Sequence, residues 1–194
     1  MSVLLCGLDE AGRGPLAGPV VAGAVVLPED FPLAILNDSK KLSEKKRLVA
    51  EKIIKEKACW GIGIAGHEFI DNSNILQASL HAMKLAYEML ALRLDGWARD
   101  NSITYESVSA IADGTFCPDI ACECSCAPKA DEAYYPVMAA SILAKTCRDA
   151  IMIEMDKKYP AYGYARHKGY PTAAHVQICR TLGPSPIQRL TFKY

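Results

Sequence analysis

The sequence predicts an α/β protein folded as one domain over residues 1–194. Two observations carry that prediction. Short apolar, β-branched runs alternate with longer segments whose apolar residues recur every three or four positions, so strands and helices interleave along the chain. A chain of 194 residues, 51% hydrophobic and 23% charged, also has the balance of a globular protein large enough for one sizeable core.

Each element has its own signature. Val3 to Leu8 is an apolar run that stops abruptly at Asp9-Glu10, the pattern of a buried strand with acids at its tip. Gly12, Gly14, Pro15, Gly18 and Pro19 break the chain, and Val20 to Leu27 resumes as a second strand, so the two are expected to pair. Ser43 is a good N-cap, with Glu44 in the first turn of a helix through about Lys57. Its apolar positions are Leu48, Val49, Ile53 and Ile54, and its outer surface is basic. Cys59 to Ala65 reads as a strand. From Ile75 to Leu94, residues Leu76, Leu80, Met83, Tyr87, Leu90 and Leu94 form a core-facing stripe. Ser107 to Ala112 is a strand that delivers Asp113 to its end, and Cys122, Cys124 and Cys126 mark one face of another. Tyr135 to about Lys157 is a long helix rich in small residues, which permit close backbone packing. A loop rich in Gly, Pro and Tyr follows, from Tyr159 to Pro171, then a short helix through Leu182.

Composition excludes several classes. No apolar run reaches the roughly 18 residues of a membrane span, and the first ten residues lack the basic start of a signal peptide, so a cytoplasmic, non-membrane protein is expected. Lys plus Arg is 22 and Asp plus Glu is 22, so any polyanion must be recognised by local patches rather than by net charge. Eight cysteines without an export signal are expected to be reduced thiols. The Cys122, Cys124, Cys126 row has no clean second pair and makes a poor zinc site.

Chemistry is expected where acids stand at strand ends. Asp9 and Asp113 each close an apolar run ahead of a turn glycine, and Glu10 adjoins Asp9. Carboxylates converging there raise one another's pKa unless a cation neutralises them, and Mg2+ or Mn2+ suits oxygen ligands. A solvated strand-end acid is the blander reading of any one of them. Two adjacent acids followed by Gly12-Arg13-Gly14 weaken it, because glycines allow close approach of a strand and Arg13 can pair with a phosphate.

These residues also resemble a known family. Asp9-Glu-Ala-Gly-Arg-Gly-Pro-Leu-Ala-Gly-Pro-Val is similar to the signature of type 2 ribonuclease H, in particular bacterial ribonuclease HII. The similarity continues in order through Asn37-Asp-Ser-Lys-Lys-Leu-Ser-Glu-Lys, Asn74-Ile-Leu, Asp113-Gly, Lys129-Ala-Asp, Ala139-Ala-Ser-Ile-Leu-Ala-Lys with Arg148-Asp149, and His167-Lys-Gly-Tyr-Pro-Thr. Two local departures stand out: Ala127-Pro-Lys-Ala-Asp131 where relatives commonly carry Val-Lys-Gly-Asp, and Thr115-Phe-Cys where Asn-Arg is usual.

The resemblance implies a ribonuclease H-like fold: a mixed β-sheet flanked by helices, with a helical C-terminal part that contacts substrate over about residues 160–194. It implies an endonuclease that cuts the RNA strand of RNA–DNA hybrids and nicks duplex DNA at embedded ribonucleotides, leaving 5′-phosphate and 3′-hydroxyl ends. The positions matching the metal ligands are Asp9, Glu10 and Asp113. Asp149 and Asp131 both match for the fourth acid, with Asp149 preferred narrowly and Asp131 expected close by. The blander readings are an ion pair of Asp149 with Lys145 and a helix-dipole contact of Asp131. Substrate contacts are implied for Gly12, Arg13, Gly14, Lys40, Lys168 and Tyr170, with Tyr170 beside the ribonucleotide and the glycine turn sensing its 2′-hydroxyl. Lys41, Lys45, Lys46 and Arg47 are candidate phosphate contacts. A monomer is expected. The alternatives are another nuclease of this fold acting on DNA, or a non-catalytic hybrid-binding module.

Overall fold

A computed structural model describes residues 2–36 and 42–193. Strands β1 (Ser2–Ala11), β2 (Val20–Val26), β3 (Cys59–Ala65), β4 (Tyr105–Asp113) and β5 (Glu123–Ala127) form one sheet in the order β3-β2-β1-β4-β5. The first hairpin forms as expected, with β1 antiparallel to β2 and β2 antiparallel to β3. β4 then returns parallel to β1, and β5 extends the edge parallel to β4. The helices are α1 (Glu44–Lys57), α2 (His67–Asn72), α3 (Ile75–Asp100), α4 (Ala130–Ala133), α5 (Tyr135–Lys158), α6 (Tyr164–His167) and α7 (Ala173–Leu182). The expected C-terminal loop thus contains a short helix, α6, and a turn of 3-10 helix at Pro160–Tyr162.

Strand alternation divides the core into two layers. Val20, Ala22, Ala24 and Val26 of β2 face α3, in one cluster with Cys6 and Leu8 of β1 and Ala110 and Ala112 of β4. Val25 faces the other way, against Ala139, Ala140, Ile142 and Leu143 of α5 and Ala50 and Ile54 of α1. Small residues let α5 ride directly on the strands. A Cβ on Gly23 would stand 2.5 Å from the Ala140 carbonyl oxygen, and one on Gly7 would stand 2.2 Å from the Val137 nitrogen.

Two apolar faces differ from their sequence expectations. On α1 the sheet-facing stripe is Ala50 and Ile54, while Leu48 and Val49 stay exposed, because the helix touches the core along one narrow line. On α3 Met83, Tyr87, Leu90 and Leu94 are buried as expected, and Ala78, Ala82 and Ala86 are buried beside them. Gly61 and Gly63 of β3 draw the helix so close that a Cβ on Gly63 would meet the Ala82 carbonyl at 1.9 Å. Leu76 and Leu80 are left half-buried at the acid end of the sheet. Ser43 caps α1 as expected, its hydroxyl accepting the Lys46 N–H at 3.4 Å.

Candidate active site

The parallel pairing of β1 with β4 matches Leu8 with Ala112, so Asp9 and Asp113 follow as neighbours at the same end of two central strands. Alternation turns Asp9 towards α5, where it accepts a hydrogen bond from the Ser141 hydroxyl. Glu10 turns towards α3 and borders a cleft of about 100 Å³ together with Asp113, Arg13, Ser79, Leu80 and Met83. The Glu10 N–H donates to Asp9 Oδ1 at 2.7 Å, and Arg13 Nη1 lies 3.3 Å from Glu10 Oε1.

Electrostatics make this a strained cluster. Burial, reinforced by the Glu10 and Asp113 charges, raises the Asp9 carboxyl well above the ordinary aspartate range. Burial also raises Glu10, against the opposing pull of Arg13. Glu10 Oε2 is buried and has no hydrogen-bond partner. Such a set of hard oxygen donors fits a divalent cation. Among the described residues, no three His, Cys, Asp or Glu side chains already enclose a position for one ion.

The two candidates for the fourth acid lie in different settings. Asp131 is buried in α4, and the N–H of the residue before it, Ala130, donates to Asp113 Oδ1 at 2.7 Å. Asp149 sits on α5, bonded to Lys145 Nζ at 2.7 Å with Arg47 at 3.9 Å. Its helical ion pair with Lys145 is therefore formed.

Other predicted contacts gather beside the acids. Gly12 adopts φ +104°, a conformation that favours glycine. The Tyr170 ring lies next to the turn, 3.9 Å from where a Gly14 Cβ would be, and Lys145 Nζ is 5.8 Å from its centre. Lys168 is turned back, its Nζ donating to the Ala165 carbonyl. Lys45 and Lys46 are exposed on α1, whereas Arg47 points inward to Asp149. Lys40 and Lys41 lie outside the described residues.

The sequence assigns no role of their own to Ser141, Arg148 and Arg189. Arg148 carried a usable signal, since Ala140, Ala144, Arg148 and Met152 recur every four residues on the buried face of α5. A charge in such a stripe announces a buried partner.

The fold is shared with solved structures. The Archaeoglobus fulgidus protein in a complex titled as PCNA with RNase HII superimposes with a TM-score of 0.69 at 22% identity, covering 99% of this chain and 96% of that one. Ribonuclease H2 of Pyrococcus horikoshii gives 0.67 at 24% identity, covering 98% and 94%. These likenesses place the chain in the ribonuclease H-like fold class. The sequence model of the family described as Ribonuclease HII matches residues 6–194. Ribonuclease HII of Treponema denticola is 51% identical, over 97% of this chain and 98% of that protein. Its counterpart from Dechloromonas aromatica is 47% identical, over 97% and 90%. The chain belongs to the ribonuclease HII family, hydrolases that act as endonucleases on RNA–DNA hybrids and depend on a divalent metal.

Proposed function

We propose that the chain cuts the RNA strand of hybrids and also nicks duplex DNA at single embedded ribonucleotides, leaving 5′-phosphate and 3′-hydroxyl ends. Asp9, Glu10, Asp113 and Asp131 hold one or two Mn2+ or Mg2+ ions in this reading. The supporting observation is the meeting of Asp9 and Asp113 at the end of the parallel β1–β4 pair, with Glu10 alongside and carrying a buried, unpartnered oxygen. When bound, such cations acidify water and neutralise charge gathering on the phosphate.

The protein's own groups do the positioning. The Ser141 hydroxyl fixes the rotamer of Asp9, and the Ala130 N–H anchors Asp113. Arg13 is held 3.3 Å from Glu10 Oε1, which leaves Glu10 Oε2 to face a cation and sets the guanidinium where it could also meet a substrate phosphate. Gly12-Arg13-Gly14 and Tyr170 flank the acids and are assigned to the ribose. The preference for Asp131 over Asp149 as fourth acid rests on the hydrogen bond from Ala130 to Asp113, and on Lys145 and Arg47 already occupying Asp149.

The chain works as a monomeric single domain in the reducing cytoplasm in this reading, which eight cysteines kept as thiols suit. Among the described residues, no helix is long and apolar enough to cross a membrane. The test is cleavage of a duplex containing one ribonucleotide by Asp9→Asn and Asp113→Asn. Each is expected to lose several kcal/mol of barrier lowering, about 10²–10³-fold in rate. Full activity in either variant refutes the assignment.

A further inference from the structure

Two arginines are fully buried beside the glycine turn, and their guanidiniums bond to carbonyl oxygens rather than carboxylates. Arg189, in the segment after α7, donates from Nε to the Gly18 carbonyl at 2.9 Å and from Nη1 to that of Arg13 at 3.0 Å. Its Nη2 donates to the carbonyls of Gly12 at 2.6 Å and Pro19 at 3.1 Å. Arg148 of α5 reaches the same loop, bonding to the Pro19 and Ala17 carbonyls at 2.9 and 3.2 Å. Its Nη1 holds the Lys168 carbonyl at 3.0 Å, and its guanidinium carbon is 5.7 Å from the centre of the Tyr170 ring.

Burying two like charges side by side is costly, so the arrangement calls for a return beyond packing. Burial, with Arg148 next to it, lowers the Arg189 pKa to about 9, which leaves the group charged at neutral pH. What the pair supplies is direction. In a trans peptide the carbonyl and the following N–H point opposite ways. Arg189 pulls the Gly12 and Arg13 carbonyls inward, so the N–H groups of Arg13 and Gly14 face away from the core, on the side of Glu10 and Tyr170.

The strap that carries Arg189 is itself fixed. The Arg189 N–H donates to the Leu16 carbonyl at 2.8 Å, and the Gly18 N–H to that of Ile187 at 2.9 Å. Asp71 of α2 accepts the N–H groups of Leu190 and Thr191 at 2.8 and 3.0 Å. The strap is thus tied to the loop itself at Leu16 and Gly18 and, through Asp71, to α2 outside it. We propose that Arg189, with Arg148 beside it, is a positioning residue that aims the main-chain donors of Arg13 and Gly14 at the substrate's ribose. This rests on the assignment of the Gly12-Arg13-Gly14 turn to the ribose.

The test measures binding by fluorescence anisotropy in EDTA, where cleavage is prevented. Each protein is offered a duplex with one ribonucleotide and the same duplex in all-deoxy form. The parent is expected to prefer the first. Arg189→Met keeps the length but drops the donors, and should shrink that preference about tenfold, the loss of about 1.4 kcal/mol. Arg189→Lys, which keeps the charge and one donor direction, should lie between. Leu94→Ala, in the core about 20 Å along α3 from the cleft, should lower thermal stability and leave the preference intact. A folded Arg189→Met with the parent's preference overturns the proposal and shows Arg189 to be merely structural. If Arg189→Met does not fold, Arg189→Lys decides on the same ratio. A parent without preference overturns the ribose assignment itself, and the positioning role with it.

Discussion

Asp131→Asn and Asp149→Asn should have different signatures. Both keep the shape of the side chain and remove its charge. At Asp149 the loss falls on a half-buried ion pair, with Lys145 at 2.7 Å and Arg47 at 3.9 Å. A helical pair of this spacing gives about 0.3–0.5 kcal/mol when exposed, and reduced exposure raises that towards about 1 kcal/mol. In a chain of this size that is a fall of about 2–4 °C in Tm. Cleavage at saturating Mn2+ should stay within about threefold of the parent, less than 1 kcal/mol of barrier. At Asp131 the charge removed is buried, one residue from the amide that binds Asp113. Asn keeps the shape and most of the hydrogen-bonding capacity of the side chain, so Tm in EDTA should change by no more than about 4 °C. The cleavage rate should fall by about 10²-fold or more, as expected for a lost cation contact. The assay pairs thermal unfolding in EDTA with single-turnover cleavage of a duplex containing one ribonucleotide. An Asp149→Asn protein of unchanged Tm that is crippled in cleavage, or a fully active Asp131→Asn protein, would refute the choice.

Cation binding to the native state alone should raise Tm. At one hundred times Kd the gain is about 2.7 kcal/mol, or about 5–11 °C, and Asp9→Asn should abolish it in a Mn2+ titration followed by calorimetry. Gly23→Ala would press a methyl to 2.5 Å from the Ala140 carbonyl oxygen, and overpacking of about 3 kcal/mol should lower Tm by about 6–12 °C. His167 and His175 stack at 4.2 Å, and burial lowers both pKa values below the ordinary 6.5. The unfolded chain therefore takes up protons first, so their contribution is complete above about pH 6.5 and is lost as pH falls below it. Thermal unfolding from pH 7.5 to 5 should show this loss, with a shallower decline in His167→Asn.

The sequence disclosed the strands and their acids because both follow from strictly local patterns. An apolar run that stops at a carboxylate and a turn glycine, as at Asp9 and Asp113, defines a strand end without knowledge of its neighbours. The dispositions of Leu48, Leu76 and Leu80 were hidden because helix periodicity gives the apolar face but not how close the helix approaches. For α3 that distance is set by Gly61 and Gly63 on another element. The rivalry between Asp131 and Asp149 was equally opaque. It turns on a main-chain amide reaching Asp113 and on Arg47 reaching across from α1, contacts no short window of letters contains. Arg189 illustrates the same gap, since its acceptors are loop carbonyls at the opposite end of the chain.

The parallel β1–β4 ladder has a kinetic corollary. Its two strands are separated by nearly half the polypeptide, including the whole of α3, so their union closes a large loop and is expected late in folding. A collapsed intermediate with the β1–β2 hairpin in place would carry Asp9 and Glu10 without Asp113. In refolding, nuclease activity should therefore lag behind helix signal.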